Sequence, residues 1–295
     1  MKALSEALAA HLESGLTTLC RAWAIDRTDG VAFGFTDHDR TLDFEGLSFR
    51  ADTGLSAMAL QQGTGLSVDN SEAVGALSDA AITEADILAG RYDGATVRAW
   101  LVNWKNVAQR HMLFRGTIGE MRRVDGAFEA ELRGLAEALN RPFGRVYQSP
   151  CTAVLGDRAC GFDLTTPGYH WEGAVQEVDE TSSVAVFTDN GFEPEWFQRG
   201  RMEVLSGSAK GLSGPIKRDS TEGAGRRIEL WAPLRAQMAA GDLVRLTAGC
   251  DKRLEICRFK FNNLLNFRGF PDVPEDDWLI VNPARAGAKS GGSRR

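Results

Sequence analysis

"AGCDKRLEICRFKFNNLLNFRGF", Ala248–Phe270, carries two of the chain's five cysteines, Cys250 and Cys257, with six residues between them. Far upstream, "SPCTAVLGDRACGF", Ser149–Phe162, carries a second pair, Cys151 and Cys160. Gly156-Asp157 is a turn signal that can fold the first loop back on itself, and "DKRLEI" leaves a strand pattern and can do the same. If the two loops meet, they gather four thiols and pin the start of a C-terminal domain to its end. Arg158, Lys252, Arg253, Arg258 and Lys260 lie close in sequence, and nearby bases favour thiolates by lowering their pKa. Neither pair is the CxxC knuckle of zinc ribbons or common ferredoxins. The residues alone therefore leave three readings open: separate buried thiols, a shared metal site, or disulfides. Within the metal reading zinc leads, as the commoner structural ion.

The rest of the chain supplies the frame. It has 295 residues, 43% hydrophobic, with 32 glycines and a net charge of −6. That length allows two domains, and the glycine content suits a folded protein with many tight turns. The acidic balance argues against nucleic acid and anionic lipid as partners. The opening "MKALSEALAAHLESGL" is interrupted by Glu6, His11 and Glu13. It therefore lacks the apolar core of a signal peptide, and no uncharged apolar run reaches a membrane span. Folding in the cytosol disfavours structural disulfides.

Leu4, Leu8, Leu12 and Leu16 form one stripe of an amphipathic helix. "ITEADILAGR" reads as a short helix with Thr83 and Asp86 spaced as a capping box, and "LAEALN" as a helix that stops at Pro142. Otherwise strand patterns dominate: "TLCRAWAID", "VAFGFTD", "LDFEGLSFRA", "ATVRAWLVNW", "HMLFRGTIGEM" and "FEAELRG", the last two joined by a hairpin signal at Asp125-Gly126. After the Pro/Gly-containing "NRPFGRVYQSP", strands resume in "WEGAVQEVD", "SVAVFTD", "GRMEVLSG", "RIELWAP" and "DLVRLTAG". The expected class is mainly β (α+β). A β-rich N-terminal domain spans residues 1–146, a smaller β-rich cysteine domain 147–283, and a flexible basic tail, "ARAGAKSGGSRR", 284–295.

The four cysteines together with "FNNLLNFRGFPDVPEDD", and the earlier "GFTDHDRTLDFEGLSFRA", resemble a family of tail-tip (baseplate hub) proteins of long-tailed phages and gene transfer agents. The likeness covers nearly the whole chain. It implies a β-rich hub domain followed by a domain holding an iron–sulfur cluster, of the 4Fe-4S type, with Cys151, Cys160, Cys250 and Cys257 as its ligands and zinc as the alternative. Cys20 has no counterpart in that motif. The implied role is structural: a ring-forming homo-oligomer, a trimer, that joins the distal tail ring to the central tip or fibre protein. The implied location is the baseplate of a phage-like particle assembled in the bacterial cytoplasm. The aromatics of "FKFNNLLNFRGF" are then expected as core around the cluster rather than a stacking platform for nucleic acid.

A second class of function is an enzyme, either an iron–sulfur oxidoreductase or a tail-associated thiol peptidase using Cys20. Cys20 lies inside a strand pattern with no helix N-terminus to activate it. Asp37, His38 and Asp39 are adjacent in sequence, so in a strand they would alternate faces, and they read as a polar hairpin tip. There is no Walker A sequence, no GxSxG elbow and no HExxH helix. No catalytic residue is assigned, and the expected role is not enzymatic.

Overall fold

The computed structural model describes residues 4–51, 55–56, 70–76, 82–124, 127–134, 139, 144–179, 181, 183–188, 191–223 and 225–273. The chain divides into two compact units, Met1–Pro142 and Phe143–Arg295. Both are built mainly from β-sheet, as expected. The Asp125-Gly126 turn, the C-terminal tail and all but one residue of the "LAEALN" helix lie outside the described residues.

The first unit opens with α1 (Glu6–Glu13), where the Ser5 hydroxyl accepts a hydrogen bond from the Leu8 N–H. The leucine stripe is longer than the helix. Only Leu8 is buried, and Leu16 lies past Gly15, whose φ of 70° ends the turn. The strands are β1 (Leu19–Asp26), β2 (Ala32–Thr36), β3 (Leu42–Phe44), β4 (Leu47–Arg50), β5 (Leu55–Ser56) and β6 (Asn70–Ala76). After α2 (Glu84–Leu88) come β7 (Thr96–Asn103), β8 (Arg110–Val124) and β9 (Ala127–Gly134). Thr83 Oγ1 caps α2 by accepting from the Asp86 N–H at 3.2 Å. Glu45 and Gly46 both have positive φ, 52° and 75°, the left-handed pair that a two-residue hairpin between β3 and β4 needs.

These strands form one sheet in the order β3-β4-β2-β1-β7-β8-β9-β6-β5, with β2 and β4 parallel and the other pairs antiparallel. Alternation in β1 sends Trp23 and Ile25 to one cluster and Cys20, Ala22 and Ala24 to another. Phe44 of β3 meets Trp100 of β7 edge-on at 5.5 Å. Four strand spacings in a flat sheet would separate them by about 19 Å, so the sheet rolls over and buries its central strands on both faces.

The second unit contains β10 (His170–Ala174), β11 (Glu177–Val178), β12 (Val184–Thr188), β13 (Arg201–Val204), β14 (Ser213–Glu222), β15 (Gly225–Leu230) and β16 (Leu243–Thr247). Then come α3 (Leu254–Phe259) and a 3-10 turn at Leu264–Asn266. "WEGAVQEVD", expected as one strand, breaks into two that sit at opposite edges of the order β10-β16-β13-β14-β15-β12-β11. Edges of a flat seven-stranded sheet would lie about 29 Å apart, a span two residues cannot cross. The sheet therefore curls into a small barrel. Its interior is filled by Phe187, Phe197, Met202, Ile216, Ile228, Val244 and Leu246. Among the described residues no helix is long and apolar enough to cross a membrane.

Candidate metal centre

The cysteines of the second unit lie on two irregular segments. In the first, Asp157 folds the loop by accepting hydrogen bonds from the N–H groups of Val154 (2.9 Å), Ala159 (2.9 Å) and Cys160 (2.7 Å). The Cys160 and Val154 N–H groups hold the Asp157 carboxyl below its ordinary pKa. Gly156 has φ +82°, as its turn signal implied. In the second segment, Gly249 N–H donates to Trp196 O at 3.0 Å and Asp251 Oδ1 accepts from Arg253 N–H at 2.9 Å. Lys252 takes φ 68°, and α3 then carries Cys257 into the unit while Phe259 faces solvent. Asn262, with φ 46°, turns the chain back so that Asn263 N–H reaches Cys257 O at 2.9 Å.

The two segments are laced together. Cys151 N–H donates to Lys252 O at 2.8 Å, and Lys252 Nζ donates to Ala153 O at 2.5 Å. Asn263 Nδ2 donates to Cys160 O at 2.7 Å and lies 3.5 Å from Cys160 Sγ. Arg268 N–H points at Cys151 Sγ at 3.4 Å. Cys151, Cys160, Cys250 and Cys257 line one pocket, walled by Ala153, Leu155 and Phe261 and bordered by Lys252 and Arg253. All five cysteines of the chain are free thiols.

The thiols surround a volume instead of meeting at a point. Zinc with four thiolates at about 2.3 Å would need sulfurs within about 3.8 Å of one another. Among the described residues there is no group of three or more His, Cys, Asp or Glu side chains that could hold a metal ion in that way. Four thiols on one pocket are the donor set that a polynuclear group, with inorganic sulfide between its metals, would use. The Arg268 N–H near Cys151 Sγ and the Asn263 NH₂ near Cys160 Sγ are donors of the kind that the sulfurs of such a group would accept from.

The neighbouring bases were expected to depress the thiol pKa values, but Cys250 and Cys257 shift the other way. Burial pushes Cys257 up to about 11, and negative charge on Cys250, Cys151 and Cys160 adds to the shift. Burial also raises Cys250, against the lowering effect of the Lys252 N–H and ammonium. Desolvation outweighs the bases, so the pocket favours thiolates only when a cation compensates them. Lys260 is affected too. Burial lowers its pKa to about 8, with Cys250, Asp219, Asp251 and Glu193 opposing. Its Nζ donates to Trp196 O at 2.6 Å and lies 4.2 Å from the Trp196 ring.

The aromatics of "FKFNNLLNFRGF" divide. Phe261 is core, edge-on to Phe162 and stacked with Tyr169, but Phe259 is 76% exposed. The Gly156-Asp157 turn is as expected; that the Asp157 carboxylate gathers three N–H groups, and that Asn263 adjoins a thiol, was not. The only local signals were Gly-Asp in the first loop and Asn-Asn, a pair that tolerates left-handed backbone, in the second.

The remaining candidates lie in the first unit. Cys20 Sγ donates to Val102 O at 3.5 Å, and burial raises its pKa to about 11, which leaves it a poor nucleophile. His38 and Asp39 do touch, Nδ1 to Oδ1, because the chain has already left β2. Asp37 turns away to accept from the Arg21 N–H at 2.7 Å, so the three do not converge.

Two family profiles match the chain. "Baseplate hub protein, N-terminal attachment domain" covers residues 5–163 and so includes Cys151 and Cys160. "Phage conserved hypothetical protein BR0599" covers residues 195–277 and includes Cys250 and Cys257. No curated protein matched. Among solved structures, a chain from the "Virion of native gene transfer agent (GTA) particle" superimposes with a TM-score of 0.89 at 54% sequence identity. The match covers 98% of this chain and 99% of that one. Since the first profile spans more than half its length, the chain belongs to the baseplate hub protein family.

Proposed function

We propose that this chain is a structural hub in the tail baseplate of a phage-like particle, and that Cys151, Cys160, Cys250 and Cys257 bind one iron–sulfur cluster of the 4Fe-4S type. Family membership and the full-length likeness to a gene transfer agent virion chain support the first part. The observation that carries the second is that two segments far apart in sequence place four thiols around one pocket. When bound, the cluster supplies a covalent cross-link and a positive core that keeps the thiolates ionised. The protein's own residues do the rest. Asp157 and the Asp251 turn shape the loops, Lys252 ties them, and Phe261, Ala153 and Leu155 limit water. A cross-link closing a loop of about 90 residues stabilises by about 4–5 kcal/mol on chain entropy.

In the particle the hub forms a trimeric ring and joins the distal tail ring to the central tip or fibre protein. A reconstruction of the particle tests this, and a single copy off the tail axis contradicts it. The cluster is tested by replacing each of the four cysteines with serine. Each variant loses the bound group and part of the second unit's stability, while Cys20→Ser keeps both. Colour and stability unchanged in all four variants would overturn the assignment. One zinc per chain in the parent would keep the cross-link but replace the cluster.

A further inference from the structure

We propose that Asn263 is a positioning residue that tunes the cluster, holding the Cys160 thiolate with an N–H donor and so setting its reduction potential and retention. This rests on the cluster reading above. Asn263 touches a cysteine of each pair, Cys160 and Cys257. Its Nδ2 donates to Cys160 O at 2.7 Å and lies 3.5 Å from Cys160 Sγ. Its backbone N–H donates to Cys257 O at 2.9 Å, and its carbonyl accepts from Cys257 Sγ at 3.3 Å. The amide cannot turn freely, because Asn266 Nδ2 donates to Asn263 Oδ1 at 2.7 Å. With the oxygen engaged there, the NH₂ end is the one that faces Cys160.

Ligand binding changes these contacts unequally. As a ligand Cys257 gives up its S–H proton, but Asn263 O still accepts from the Asn266 N–H at 3.1 Å. The donor toward Cys160 becomes stronger when the sulfur is charged. Around it the wall is apolar, formed by Ala153, Leu155 and Phe261, so each N–H counts for more than it would in water. A donor at a ligand sulfur favours the reduced, more negative state, and hydrogen bonds of this kind are among the determinants of cluster potential.

The test uses the full chain purified anaerobically, with Asn263→Leu, Asn263→Asp, Asn263→Gln and Asn266→Ala. The midpoint potential is read by redox titration, cluster loss by the rate of iron transfer to a ferrous chelator, and folding by thermal melting. Asn263→Leu is expected to lower the potential and speed cluster loss by about 10–100-fold. Asn263→Asp lowers it further, because a carboxylate replaces the donor. Asn263→Gln, which keeps an NH₂ group, recovers part of the loss. Asn266→Ala leaves Asn263 in place but unlocked, gives a smaller shift in the same direction, and carries the test if the Asn263 variants do not fold. Unchanged potential and loss rate, with only a lower melting temperature, would overturn the proposal while leaving the cluster intact. A parent protein without iron and sulfide would overturn both, and is recognised before any variant is made.

Discussion

Asp219 and Arg226 form an ion pair with both side chains fully buried, and replacing Asp219 with alanine should be among the most damaging single changes in the second unit. Arg226 Nε and Nη2 each donate to the Asp219 carboxylate at 2.7 Å. The same guanidinium donates to Phe192 O at 2.9 Å and Glu193 O at 2.7 Å, and Asp219 accepts from the Phe197 N–H at 2.8 Å. The pair therefore clamps the loop 192–197, whose Trp196 carbonyl receives both Gly249 N–H and Lys260 Nζ. Removing one partner of a buried pair costs about 3–5 kcal/mol, and a stranded backbone N–H adds to it. We expect about 4–5 kcal/mol, or a fall of roughly 8–20 °C in the melting of the second unit. Asp219→Leu with Arg226→Met should recover only part of this, because Phe192 O and Glu193 O lose their donors. Urea unfolding followed by tryptophan fluorescence measures the cycle, with Trp196 reporting the loop. A loss below about 1.5 kcal/mol for Asp219→Ala, or full recovery in the double variant, would refute the reasoning.

Other expectations concern the site and its surroundings. Gly249→Ala would place a Cβ 1.6 Å from Gln198 O, a backbone atom; it should displace Cys250, bleach the protein and cost about 2–4 kcal/mol, as read by absorbance and melting. Lys252→Ala with Arg253→Ala should speed cluster loss to a chelator several-fold without preventing assembly, since both residues border the pocket. Burial opposes ionisation of Asp179, but hydrogen bonds from Thr181, Val184 and Ser183 hold its pKa down to about 2. The unfolded chain, with a pKa of about 3.9, takes up that proton first on acidification. Stability from this group is therefore present above about pH 4 and lost as pH falls through 2. Asp179→Asn should flatten that part of a urea-midpoint profile measured from pH 5 to 2.

The strands legible in the sequence included Leu19–Asp26 and Thr96–Asn103, rich in β-branched and aromatic residues, whose two faces fill two clusters. Ser213–Glu222 escaped notice because Gly214, Pro215 and a run of charges hide its pattern; a bulge between Ile216 and Arg218 accommodates it. The break in "WEGAVQEVD" was also hidden, since barrel closure depends on partners distant in sequence. At the site, the cysteine spacing alone left thiols, zinc and disulfides open, and family resemblance supplied the cluster. The Gly156-Asp157 turn was legible, but Asn263 was not, for a physical reason: its partners are a backbone carbonyl and a sulfur that only the folded loops bring within reach. The bases misled, because sequence proximity to Lys252 shows attraction but not the burial that outweighs it.

The central claim is that four cysteines hold one iron–sulfur cluster, and metal and sulfide analysis of the anaerobically purified parent tests it most directly. The expected result is about four irons and four acid-labile sulfides per chain, with broad sulfur-to-iron charge-transfer absorption that disappears in each of Cys151→Ser, Cys160→Ser, Cys250→Ser and Cys257→Ser. A colourless protein carrying one zinc or no metal, even after anaerobic reconstitution with iron and sulfide, would contradict it.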